Sequence, residues 1–324
     1  MQKADHLLHL LNNTRAHDNE ALGRELGLSK MQMKQTFEGL AEQGLPLRQN
    51  AKGDYCVQKG IHLLDAEEIA EVLRQDFPLD SFELFQSLNS TNSHLLSQTF
   101  GHGRARVCLT ESQLAGRGRR GNEWLSAPYR NIMMSVSWGF ASWPSTITGL
   151  GLAVALSVTK VLNERYGLEV KIKWPNDLLV NDDKLAGILI DVAGDASGAC
   201  NVVIGLGLNV DQPDWSDCQS AAYRWQDLNG LGIKLNRNVL IAQILNSLTQ
   251  MLQSFESAGF EPLVGAWNSL SSYAHRRIRV GSDTDFICGE MAGVDSIGAL
   301  MLDADDGTRH RFTDSNVSVR LMPA

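Results

Sequence analysis

The sequence predicts an α+β protein in three parts, on three observations. Residues 1–64 read as short amphipathic helices closed by a hairpin. Residues 65–271 interleave long apolar helices with buried strands, and residues 272–324 carry only short strands separated by turns. With 324 residues, 43% of them hydrophobic and 20% charged, the chain has an ordinary globular composition and the length for two or three domains.

In the first part, Leu7, Leu8, Leu10 and Leu11 mark one helix, and Leu22 and Leu26, four apart on one face, mark a second over Asn19–Leu26. Gly27 permits a sharp turn. Ser29, with Gln32 three residues on, has the spacing of a capping box and opens a third helix. The apolar side of that helix is Met33, Phe37 and Leu40, and Gly44 ends it. Two strands, near Leu45–Gln49 and Tyr55–Val57, flank a tip at Asn50-Ala51-Lys52-Gly53. Helix, turn, helix and wing is a DNA-reading arrangement. Ser29, Lys30, Lys34 and Gln35 would face the groove, and Lys52 would reach a phosphate from the wing. The same helices would also suit a dimerisation or packing module. Eight basic side chains, Arg15 and Lys59 among them, face seven acidic ones here, so one copy would bind DNA weakly and a homodimer would be needed to double the phosphate contacts. Asp65-Ala66-Glu67-Glu68 opens another helix with an Asp-x-x-Glu cap, ending before Phe77-Pro78, and marks the boundary to the second part.

Bulk properties exclude several classes. A net charge of −8 argues against a protein coated in nucleic acid, although it leaves room for a local basic patch. No stretch approaches the ~20 apolar residues of a membrane span, and the amino terminus lacks the apolar run of a signal peptide. Cys56, Cys108, Cys200, Cys218 and Cys288 are scattered without a C-x-x-C pair, as expected for reduced thiols in a cytoplasmic protein with no membrane partner.

Four constellations in the second part carry chemistry. Asn89-Ser90-Thr91-Asn92 precedes an apolar run and reads as a helix start, either a plain N-cap or a place where free N–H groups meet a polar ligand. The segment from Gln113 to Trp124 alternates Gly116, Gly118 and Gly121 with Arg117, Arg119 and Arg120. It satisfies G-x-G-x-x-G, but Ser126-Ala127-Pro128 blocks a following helix and no acid sits about twenty residues on, so a dinucleotide fold is rejected. Glycines that let backbone wrap a ligand and arginines that neutralise phosphate suit a mobile flap over a polyphosphate; an exposed basic loop is the alternative. Third, apolar runs on both sides of Asn181-Asp182-Asp183 predict a hairpin flanked by Lys173-Trp174-Pro175-Asn176-Asp177 and Lys184-Leu185-Ala186-Gly187. Two lysines and an aspartate suit a triphosphate with Mg2+, and Gly187 inside a strand marks a close approach. Fourth, Val202–Val210 is a buried strand whose Gly205 and Gly207 share a face, bare for a flat ligand or a packing helix. Thr148–Tyr166 and Asn236–Ser257 read as core helices. Trp225, after Ala221-Ala222-Tyr223-Arg224, would stack on an adenine or fill core.

Taken together and in this order, S-T-N, Q-x-x-G-R-G-R-x-G, K-W-P-N-D, K-x-x-G-I-L and G-x-G-x-N resemble the biotin protein ligase family over nearly the whole chain. With its helix-turn-helix segment, the chain looks like the family's bacterial bifunctional ligases and biotin operon repressors. The resemblance implies a winged helix over 1–64 and, over 65–271, a mixed sheet flanked by helices, class II synthetase-like. It implies an SH3-like barrel over 272–324, which fits strands at Arg276–Val280, Phe286–Val294, Leu300–Asp303 and Arg309–Thr313.

It also implies that Ser90, Thr91, Asn92, Gln113, Gly116, Arg117, Arg119, Lys184, Gly187, Gly205 and Gly207 surround biotin. Arg119, Arg120, Lys173, Asn176, Asn209 and Trp225 would hold ATP or the adenylate. Arg119, Lys173, Asp177 and Lys184 would serve catalysis, with Asp177 orienting the acceptor lysine or assisting Mg2+. One departure is Asn122, where the family usually has a further basic residue. The implied partners are the biotin carboxyl carrier protein of acetyl-CoA carboxylase, operator DNA and a second copy of the chain. On this reading, removing residues 1–64 abolishes DNA binding and spares adenylation. Lipoyl ligation, a DNA-binding biotin sensor and a ligase that has lost DNA binding stand as alternatives; the intact Gly-Arg-Gly-Arg-Arg-Gly loop favours biotin.

Overall fold

The computed structural model describes residues 2–11, 18–58, 61–98, 101–141, 147–194, 198–212, 224–282, 284–313 and 317–322. Arg15, Lys59, Cys218 and Ala221-Ala222-Tyr223 lie outside them.

The chain begins with α1 (Gln2–Leu11), α2 (Asn19–Leu26), α3 (Lys30–Glu42) and an antiparallel hairpin of β1 (Leu47–Gln49) and β2 (Tyr55–Val57). Asp18 caps α2 by accepting from the Glu20 and Ala21 N–H groups, and Gly27 leaves the helix with a φ of +61°. The Ser29–Gln32 capping box forms in both directions. Leu7, Leu11, Leu22, Leu26, Met33, Phe37 and Leu40 close one buried cluster, joined by Leu45, Val57 and, from far along the chain, Tyr129.

Next come α4 (Ala66–Val72, capped by Asp65), β3 (Leu79–Phe85), α5 (Thr91–Leu96), β4 (Ala105–Thr110) and β5 (Ile132–Phe140). They are followed by α6 (Leu150–Tyr166), β6 (Lys171–Lys173), β7 (Asp177–Val180), β8 (Asp183–Gly194) and β9 (Cys200–Leu208), then α7 (Arg237–Ala258) and α8 (Val264–Leu270). The strands form one sheet in the order β3-β4-β5-β9-β8-β7-β6. Only the β3–β4 pair is parallel, so the expected mixed sheet is present. The helix expected from Thr148 begins instead with a 3₁₀ turn over Ile147–Gly149 and becomes α-helical at Leu150.

Strand alternation separates the two faces of this sheet. Met134, Val136 and Trp138 of β5 and Val202, Ile204 and Leu206 of β9 join the main core with α6 and α7. The opposite face carries Ser135, Gly205 and Gly207, and there Leu95 of α5 packs with Cys108 and Val203. The site lies on this second, glycine-bearing face.

The chain ends in an antiparallel sheet of β10 (Arg277–Gly281), β11 (Phe286–Val294), β12 (Leu300–Ala304), β13 (Arg309–Phe312) and β14 (Ser318–Leu321), in the order β13-β12-β11-β10-β14. Ile278, Val280, Met291, Leu300 and Leu302 belong to the main core, so this sheet is packed onto the central one. Polar ties reinforce the junction: Trp174 Nε1 donates to Gly298 O at 3.1 Å, and Arg276 grips the Asp182 carboxylate with both terminal nitrogens. Cys56, Cys108, Cys200 and Cys288 are free thiols. Among the described residues no helix is long and apolar enough to cross a membrane.

Candidate active site

A cavity of about 400 Å³ opens on the glycine face, bounded by the start of α5, the arginine-glycine loop, the β7–β8 hairpin, the end of β9 and β14. Ser90 caps α5 by accepting from the Ser93 N–H, and Gln113 Oε1 accepts from Thr91 N at 3.0 Å. The first turn of α5 is thereby tied to the root of the loop. Asn92 is 3% exposed and lies over Gly205, donating to Asp191 Oδ2 at 2.9 Å, with Ser135 Oγ 2.5 Å from its Oδ1. Its amide is satisfied by protein, which makes it a brace of the wall.

The loop supplies both the roof and part of the floor. Arg119 Nη1 donates to Asn176 Oδ1 at 3.0 Å, and Asn176 Nδ2 donates to Ile188 O at 2.9 Å, so the arginine head is held over the hairpin. Arg117 reaches Asp191 Oδ1 at 3.3 Å. Arg120 is exposed, and no helix follows Gly121. Trp124 turns its indole under the loop: a side chain at Gly207 would overlap the indole, and a Cβ at Gly187 would lie 3.0 Å from it. The two glycines therefore accommodate a tryptophan of the chain itself. Trp124 Nε1 is buried and has no hydrogen-bond partner among the described residues. Gly116 lies outside the main cavity, in a shallower neighbouring hollow, and its Cβ direction points at the Trp124 carbonyl, so the fold of the loop accounts for it.

Lys184 Nζ lies 2.7 Å from Asp177 Oδ1 and 5.4 Å from the centre of the Trp124 ring. Its backbone is held from both directions, because Lys184 N donates to Arg224 O and Gln226 N donates to Lys184 O, each at 3.0 Å. That pairing also sets Trp225 at the cavity wall. Asn209, 2% exposed, donates to Lys184 O and Gln226 O and accepts from Gln212 Nε2 at 3.0 Å. Lys173 sits 5.8 Å from the Tyr273 ring centre. Burial pushes the Lys173 ammonium below the usual lysine range; Asp177 opposes the shift, while Lys184 and Arg320 reinforce it.

Every residue read from the sequence as biotin- or nucleotide-binding or catalytic lines this cavity except Gly116. Sequence reasoning gave no role to Trp124, Ser135, Asp191, Gln212 or the Val317–Val319 wall. A lone tryptophan closing a Gly/Arg loop, and a serine and an aspartate on the same face as the strand glycines, are the signals that would have found the first three. The predicted DNA-facing residues Ser29, Lys30, Lys34, Gln35 and Lys52 are all exposed, and Lys34 pairs with Glu38 at 3.6 Å.

Cations gathered over a glycine-bearing wall, beside the Asp177 and Glu123 carboxylates, give a cavity chemically suited to an anionic ligand. Residues 84–209 match the biotin/lipoate A/B protein ligase family. The bifunctional ligase/repressor BirA of Escherichia coli is 32% identical over 97% of this chain and 96% of its own length. The biotin–[acetyl-CoA-carboxylase] ligase of Paracoccus denitrificans is 28% identical over 66% of this chain and 90% of its own. The biotin protein ligase of Aquifex aeolicus, solved with biotin and ATP, superposes with a TM-score of 0.64 at 22% identity, covering 75% of this chain and all of that one. The chain belongs to the biotin/lipoate A/B protein ligase family. Its full-length likeness is to the bifunctional ligase/repressor members.

Proposed function

We propose that the protein activates biotin with ATP as biotinyl-5′-AMP and transfers the biotinyl group to a lysine of the biotin carboxyl carrier protein of acetyl-CoA carboxylase. The observation that carries this reading is the convergence of Arg119, Lys173 and Lys184 on one cavity with Asp177 and the Gly187–Gly207 floor. The biotin carboxylate attacks the α-phosphorus of ATP, and the bond to the departing pyrophosphate breaks. Lys173 and Arg119 balance charge on the phosphates, and Lys184 steadies the carboxylate. The acceptor amine then attacks the carbonyl carbon, and AMP leaves. Asp177, which already holds an ammonium at 2.7 Å, is suited to orient that amine. Among the described residues no group of three or more potential metal-binding side chains gathers. Mg2+ would be shared between the ATP phosphates and Asp177, in the manner of sites built on one carboxylate plus substrate.

The finer division is part of the same proposal: a winged helix over residues 1–64, a catalytic unit over 65–271 and an SH3-like unit over 272–324, in a cytoplasmic protein. Repression of a biotin operon by a homodimer carrying biotinyl-5′-AMP is supported by the exposed Lys30, Lys34, Gln35 and Lys52 and by a side of β8 that pairs with no further strand among the described residues. Leu189–Gly194 pair with β9, whereas β7 pairs no further than Gly187, and Val192 is 37% exposed there. Incubating the full chain with labelled biotin, ATP and carrier protein tests the ligase half, with ATP-dependent label on the carrier as the expected result. Transfer of lipoate in place of biotin would overturn it. Sedimentation and operator footprinting, with and without biotin plus ATP, test the repressor half, which fails if the full chain ignores operator DNA in both states.

A further inference from the structure

Tyr129 is distant in sequence from the cluster it completes. It is 1% exposed and belongs to the buried core of α1, α2, α3 and the β1–β2 hairpin. Pro128 beside it lies against Gly44, where a Cβ would stand 3.2 Å from the proline ring. Tyr129 has a φ of +62°, a conformation that a bulky residue keeps only where its surroundings hold it. Its N–H donates to Glu111 O at 2.8 Å. The Glu111 carboxylate in turn accepts from Leu64 N at 2.6 Å and pairs with Arg237, itself 3% exposed. Thus the junction after β2 and the exit of the arginine-glycine loop are fastened to the same buried acid.

The other side of this segment faces the cavity margins. Trp124, five residues upstream, lies on the glycine floor. Asn131 Oδ1 accepts from Val210 N at 2.9 Å, next to Asn209, and Arg130 pairs with Asp211. A short stretch therefore joins the amino-terminal core to Trp124 on one side and to the residues after β9 on the other.

We infer that Tyr129 is a positioning residue: seated in the amino-terminal core, it fixes the outgoing stem of the Gly116–Trp124 loop. The amino-terminal helices then help retain the adenylate and are stabilised by it in return. The inference rests on the ligase reading. Coupling of this kind is reciprocal, so a ligand that orders the loop tightens the helices by the same factor. It also changes the expectation that residues 1–64 can be removed without cost to adenylation, because their removal strips the seat of Tyr129.

The test uses the full chain. Tyr129→Gly removes the ring and accepts a φ of +62°; Tyr129→Phe keeps the ring. In a chase of preformed biotinyl-5′-AMP, Tyr129→Gly is expected to release it about tenfold faster and Tyr129→Phe within about twofold of wild type. A merely structural role would lower the active fraction and leave the release rate of bound adenylate unchanged, and that result overturns the inference. On the wild-type chain, adenylate is expected to slow amide hydrogen exchange in α3 and β2. Equal exchange with and without adenylate overturns the coupling even if the glycine variant does not fold. A wild-type chain that forms no adenylate removes the ligase reading, and this inference with it.

Discussion

Replacing Lys184 by Ala removes one cation from the centre of the cavity and leaves its neighbours in place. In the protein its ammonium has two partners: Asp177 Oδ1 at 2.7 Å and the Trp124 ring at 5.4 Å. The side chains of Lys184 and Asp177 are 26% and 20% exposed, so water screens the pair, and its loss costs folding about 1 kcal/mol at most. The cation–π contact adds about 0.5–1 kcal/mol. Asp177 is not stranded, because Lys173 lies close enough to feel its charge. A charge-assisted hydrogen bond from Lys184 to the biotin carboxylate or the adenylate is worth about 1.5–3 kcal/mol, roughly ten- to a hundredfold in affinity. Binding should therefore suffer more than folding. Calorimetric titration of biotin, pyrophosphate release on adding ATP, and urea unfolding of the same sample separate the two effects. Wild-type affinity and adenylate yield would refute the assignment. So would a loss of folding large enough to account for the lost binding.

Other outcomes follow from the same geometry. Arg119→Gly removes the guanidinium held by Asn176, and bound biotinyl-5′-AMP should escape and label bystander lysines; an unchanged chase half-life counts against a phosphate role. Arg237→Ala leaves Glu111 as an uncompensated buried carboxylate and should cost about 3–5 kcal/mol in urea unfolding, a reading that fails if the loss is below about 1 kcal/mol. Burial lowers the Lys173 pKa in the folded chain, so the unfolded state binds more protons between that lowered value and the ordinary one, and stability rises with pH across that window. A Lys173→Met variant should accordingly be more stable than wild type at neutral pH, with the difference shrinking as alkali discharges the lysine. ATP affinity of the wild type should fall over the same window, whereas that of Lys173→Arg, whose guanidinium stays charged, should not.

Much of the architecture is legible in local signals. Caps read at Ser29 and Asp65 set helix starts that the structure reproduces, and the structure adds caps at Asp18 and Asn236. Turn residues such as Asp306-Gly307 separate the short carboxy-terminal strands. The strands that sequence reasoning does not find are instructive. All nine residues of β5 are buried, since helices cover one face and α5 with the cavity the other, so no period-two pattern marks the strand. β3 is an edge strand, half-buried at every position but the exposed Asp80, with alternation too weak to read. β14 is only four residues long.

The site was legible to the same depth and for the same reason. Spacing of two puts Gly205 and Gly207 on one face of a strand, and that much is local geometry. What covers them is not local: Asn92 of α5 lies over Gly205, so a packing helix accounts for that glycine, whereas Trp124 from the arginine-glycine loop lies over Gly207, and only the tertiary fold separates the two cases. Tyr129 is the sharper case. Its neighbours in sequence are a serine-alanine-proline stretch and a strand, both unremarkable, and its side chain packs in a cluster built from residues 7–63. The Asp-x-x-Glu cap at Asp65 is a local boundary signal, and it leaves the loop on one side and the first three helices on the other. The buried tyrosine crosses that division, so a boundary drawn from a helix cap does not isolate the chemistry on one side of it.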